Sequence, residues 1–87
     1  MHEENDSRLV DLSSRLVSKI SVVEIRGDGA SRFLYVTGNG KSAEVSMHKG
    51  KFWVEFWGSL DEDAQPMMEA FYESIQSVEA ALQDWLL

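Results

Sequence analysis

Residues 32–57 read RFLYVTGNGKSAEVSMHKGKFWVEFW, and this stretch decides the fold. Runs rich in branched and aromatic residues at 32–37, 41–47 and 51–57 are separated by Gly38-Asn39-Gly40 and by Lys49-Gly50. Asn-Gly favours the positive φ angles of a two-residue hairpin turn, so the runs read as consecutive antiparallel strands. With Asn39-Gly40 as the loop, Val36 faces Ala43 and Leu34 faces Val45. With Lys49-Gly50 as the next loop, Met47 faces Phe52, Val45 faces Val54 and Ala43 faces Phe56. The two turns are chosen separately, yet both put the same apolar side chains on one face. A register slip by one residue would scatter that set, so each turn supports the other.

The opposite face holds the candidate binding residues. It carries Phe33, Tyr35, Trp53 and Trp57, with Glu44 directly opposite Glu55. Large apolar patches on soluble proteins mark contact surfaces, and Trp and Tyr dominate binding hot spots. A like-charge pair across two strands destabilises the sheet unless a cation answers it. Carboxylates flanked by rings suit a Lys or Arg side chain, through ion pairing and cation–π contact. Arg26 of this same chain is the internal candidate for that role, and Glu24 falls near Tyr35 from the preceding strand.

Outward from this centre, 22–26 reads as a further strand, set off by Gly27-Asp28-Gly29. Before it, Leu9, Leu12, Leu16 and Ile20 recur at helical spacing, with Asn5 or Asp6 as cap, which predicts a helix over 7–21. Residues 1–6 are expected as a disordered N-terminal tail. After Gly58, Ser59 and Glu62 have capping-box spacing, and Pro66 is tolerated only in a first helical turn. Met68, Phe71, Ile75, Val78, Leu82 and Trp85 continue at +3 and +4, predicting one long amphipathic helix. The expected architecture is a single α+β domain over 7–87. Its order is α-β-β-β-β-α, a four-stranded antiparallel meander with both helices packed on one face.

Composition narrows the function classes. With 87 residues, 44% hydrophobic and 26% charged, the chain has the balance of one soluble domain. No apolar run approaches the ~18 residues of a spanning helix and no signal-peptide pattern is present, so a cytoplasmic location is expected. Cysteine is absent, which removes disulfides, thiolate metal sites and cysteine nucleophiles. The net charge is −7, and residues 59–87 hold seven acids and no Lys or Arg. Such a chain repels phosphate backbones and anionic lipid, so neither nucleic acid nor membrane is an expected partner, whereas a basic protein is.

Catalytic motifs are not found. His48 sits beside a turn without fellow ligands, and His2 lies in the polar tail, so no metal or cofactor is expected. No serine stands in a nucleophile elbow. Gly38-Asn39-Gly40-Lys41-Ser42 resembles the end of a phosphate loop, but Tyr35 occupies the place of the earlier glycine and a strand follows. In outline (small, acidic, antiparallel, with a terminal amphipathic helix) the chain resembles bacterial immunity proteins and dimeric secretion chaperones. The chaperones' usual order, however, has a helix interrupting the strands. The resulting expectation is a non-catalytic module that binds or sequesters a basic protein partner through Phe33, Tyr35, Glu44, Trp53, Glu55 and Trp57. Two alternatives compete. One is a small dimeric enzyme or ligand-binding protein with its site between two sheets. The other is a purely structural dimerisation domain, a homodimer covering the same aromatic face.

Overall fold

The structure is a computed structural model that describes residues 2–61 and 63–87. In chain order it has α1 (His2–Leu16), β1 (Val22–Arg26), a short 3-10 turn (Gly29–Ser31), β2 (Phe33–Gly38), β3 (Lys41–His48), β4 (Lys51–Trp57), β5 (Met68–Tyr72) and α2 (Ile75–Leu86). The strands form one antiparallel sheet in the order β1-β2-β3-β4-β5, so each pairs with its neighbour in sequence.

The turns set the registers. Asn39 and Gly40 have φ of 53° and 76°, and Lys49 and Gly50 have 52° and 79°, the left-handed values that a two-residue hairpin loop requires. Leu34 therefore pairs with Val45 and Val36 with Ala43, while Ala43 meets Phe56, Val45 meets Val54 and Met47 meets Phe52. Leu34, Val36, Ala43, Val45, Phe52, Val54 and Phe56 are all buried. They form one apolar cluster with Leu9, Leu12 and Leu16 of α1 and Val78, Leu82 and Leu86 of α2.

Polar contacts fix the helices against the sheet. The Arg8 guanidinium lies 4.5 Å from the Phe52 ring centroid and donates to the carbonyls of Gly50 (2.6 Å) and Glu73 (3.1 Å). Trp85 Nε1 donates to the Ser42 carbonyl at 3.1 Å. Arg15 of α1 and Lys19 of the turn after it both reach Glu79 of α2, at 3.4 and 3.3 Å. At Gly38 a Cβ would lie 2.8 Å from the Leu86 carbonyl oxygen, so only glycine lets β2 approach the end of α2 this closely.

The sheet has five strands rather than the expected four. Residues 68–72, predicted as helix, form β5 and pair Phe56 with Met68, Glu55 with Glu69, Val54 with Ala70, Trp53 with Phe71 and Phe52 with Tyr72. Helical spacing placed Met68 and Phe71 in the core, but they are 50% and 49% exposed, whereas Ala70 and Tyr72 pack against the core cluster. The physical reason is the free edge of β4, whose backbone groups need partners that a helix cannot supply. Residues 58–67 form the connection and include Pro66. Ser59 Oγ accepts from the Asp61 backbone N–H at 3.2 Å, and the proposed capping partner Glu62 lies outside the described residues. The cap of α2 is Ser74, whose Oγ accepts from the Ser77 backbone N–H at 3.1 Å.

α1 also differs from its expected 7–21 span. It begins at His2, so residues 2–6, expected as a tail, take helical backbone, and it ends at Leu16. A following turn, with the Ile20 N–H bonded to the Leu16 carbonyl at 2.9 Å, still carries Ile20 into the core. Helical spacing of a buried residue thus outlasts the helix by one turn. Among the described residues no helix is long and apolar enough to cross a membrane.

Candidate functional site

Alternation along the strands sends every second residue to the face opposite the core. There the registers line up Glu24, Tyr35, Glu44, Glu55 and Glu69, one from each strand, in a single row across the sheet. Directly opposed residues have Cβ atoms about 4.5–5.5 Å apart, so adjacent carboxylates in this row repel.

The chain answers one end of the row. Arg26 Nε and Nη2 both donate to Glu24 Oε2, at 2.9 and 2.7 Å. The same guanidinium stacks over Tyr35, 3.9 Å from the ring centroid. Among the described residues no ion pair reaches Glu44, Glu55 or Glu69. Glu69 Oε2 accepts only a neutral donor, the Trp53 indole N–H, at 3.2 Å. Burial pushes the Glu44 carboxyl above the usual carboxylate range, Glu55 opposite pushes it the same way, and Arg26 pulls it partly back.

Rings flank the row on β4. Trp53 faces Ser46 on β3 and Phe71 on β5, and its ring lies nearly parallel to that of Phe71, with centroids 6.2 Å apart. The His48 ring sits beside both, at 6.0 and 5.9 Å. On the other side of Glu55, Trp57 faces Ser42, and its indole N–H donates to the Ala64 carbonyl at 3.2 Å. That bond folds the 58–67 connection back beside the sheet. The result is a groove of about 360 Å³ between Arg26, Tyr35, Glu44 and Trp57 on the strands and Leu60, Asp61 and Ala64 on the connection.

Of the six residues expected to bind, Tyr35, Glu44 and Glu55 share the row, and Trp53 and Trp57 flank it. Phe33 stands apart, opposite Arg26 at the β1 side. All six are half-buried, less open than a bare aromatic patch would be. Glu69, Phe71 and the groove residues Leu60, Asp61 and Ala64 are not legible as part of the site, because residues 59–72 read as helix. The alternation of Glu69 and Phe71 with Ala70 and Tyr72, followed by the Ser74/Ser77 cap, was the available signal. Among the described residues no three of His, Asp and Glu are arranged to hold a metal ion. The arrangement can accept hydrogen bonds from a cation and stack its flat or apolar parts on rings.

Comparison with known protein families, with curated proteins and with solved structures finds no match to the chain.

Proposed function

We propose that the chain is a cytoplasmic, non-catalytic module that binds a basic protein through the outer face of its sheet. The observation that carries this reading is the row Glu44–Glu55–Glu69, three carboxylates in direct register without an ion-paired cation among the described residues. Such a row costs stability in the free protein, and a cationic partner would remove that cost on binding. The half-buried Trp53 and Trp57 supply the aromatic anchors typical of binding hot spots. Both helices are taken to lie on the core side, leaving this face open. The seven acids of residues 59–87 would steer a basic partner towards it.

A homodimer through the same face is the weaker reading, because it would lay two carboxylate rows against each other. The test pairs light scattering over a concentration series with affinity capture by the wild type and by a Glu44→Gln/Glu55→Gln variant. The expected outcome is a monomer whose captured protein is lost from the variant. A concentration-independent dimer, or capture unchanged by the variant, would overturn the proposal.

A further inference from the structure

We infer that the groove walled by Trp57, Tyr35, Glu44 and Asp61 takes the side chain of an arginine, presented on an extended segment of the partner. The inference rests on the protein-binding reading and names the group that the face recognises.

The chain itself shows what this face accepts. At the β1 end of the same groove, Arg26 donates twice to Glu24 Oε2 while stacking 3.9 Å from the Tyr35 centroid. A guanidinium between a carboxylate and a ring is therefore already part of the surface. Another acid and another ring, Glu44 and Trp57, line the groove beyond Arg26, and among the described residues no ion pair reaches Glu44. Asp61 adds a second carboxylate from the connecting segment, so the groove offers two acids against the single, already committed Arg26. Its volume of about 360 Å³ stands at the low end of the ~300–1,000 Å³ of small-ligand pockets, which suits one long side chain and not a folded element.

Arginine fits better than lysine for two physical reasons. Its planar cation stacks on an aromatic ring while its edge meets carboxylates, and it is more weakly hydrated, so entering a half-buried groove costs it less. A lysine ammonium can also sit over a ring, as Lys41 does over Trp85 at 4.8 Å, but it is more strongly hydrated and has no planar edge to meet the carboxylates at the same time.

The experiment titrates the intact protein with two synthetic peptides, Arg-Ser-Arg-Ser-Arg-Ser and Lys-Ser-Lys-Ser-Lys-Ser, followed by tryptophan fluorescence and calorimetry. The arginine peptide is expected to bind at least about tenfold tighter than the lysine peptide, a difference of ~1.4 kcal/mol. Glu44→Gln should remove most of that preference, and Trp57→Phe, which keeps a ring, should retain more of it than Trp57→Leu. Circular dichroism of each variant separates lost binding from lost fold. Equal affinities for the two peptides, no binding of the arginine peptide, or a preference untouched by Glu44→Gln would each overturn the inference. If the captured partner survives an excess of arginine peptide but is lost from the Glu44→Gln/Glu55→Gln variant, this pocket assignment falls and the wider binding proposal stands. If the captured partner survives both the arginine peptide and the double substitution, both proposals fall.

Discussion

Val54 and Glu55 are neighbours on β4 and share one backbone ladder, yet the rows they belong to obey opposite rules. Val54 stands between Val45 and Ala70, in a row that runs from Ile25 through Leu34 and is fully buried at its centre. Glu55 stands between Glu44 and Glu69, in a row whose four carboxylates meet, among the described residues, one ion-paired cation, Arg26 on Glu24. The first row is what folding alone would select, since every contact removes apolar surface from water. The second works against folding, because opposed like charges weaken the sheet they sit on. Local conflict of this kind in an otherwise consistent fold is where functional surfaces are found.

The contrast predicts a graded set of effects. The largest belongs to the core face: Phe52→Ala should lower unfolding free energy by about 3–5 kcal/mol in urea titration, as for other buried aromatics. Its sequence neighbour Trp53 points to the other face, and Trp53→Ala should cost only about 1 kcal/mol, the scale of a ring pair and an exposed hydrogen bond. Equal losses at the two positions would erase the distinction between the faces.

The smallest effect has the opposite sign. Glu44→Gln should raise stability at pH 7 by about 0.5 kcal/mol, the scale of one opposed like-charge pair. The pH dependence sharpens this further. Because the folded-state pKa of Glu44 lies above its ordinary value of 4.5, the native protein binds that proton more tightly than the unfolded chain does. Stability is therefore lost as pH rises through this window and recovered as it falls. The advantage of Glu44→Gln should shrink as pH is lowered through the raised value towards 4.5. Parallel urea titrations from pH 4 to pH 8 check it, and a growing advantage at low pH would contradict the assigned cause. Glu55, Arg26, Glu24 and Glu69 are present in both proteins, so the difference between the two titrations reports on the Glu44 carboxyl.

How far the sequence exposes all this depends on how local each decision is. The two central hairpins are legible because Asn39-Gly40 and Lys49-Gly50 fix their registers within a few residues, and Glu44 against Glu55 follows at once. The fifth strand is hidden because its choice is made elsewhere. Residues 68–85 keep helical spacing, and the inward positions of β5 are Ala70, too small to mark a core, and Tyr72. What decides is the unpaired edge of β4, reached across a ten-residue connection with no tight-turn signature. Glu69 and Phe71 were lost from the site for that reason alone. Trp57 was placed correctly on its strand, but its bond to Ala64, and hence the groove, belongs to a connection whose path no periodicity encodes.

The bond from α1 to Glu79 has a meaning in time as well as in space. Neighbouring strands close short loops, whereas Arg15 and Lys19 meet Glu79 across 64 and 60 residues of chain. Loop closure grows costlier with length, so contacts between distant segments tend to follow those between near ones. The hairpins should gather first as an open ribbon, and the docking of the two helices on each other should be the late event that makes it watertight. In that order Glu79→Gln would speed unfolding and leave the refolding rate nearly unchanged in stopped-flow mixing. A slowed refolding phase would instead put the helix pair in the folding nucleus.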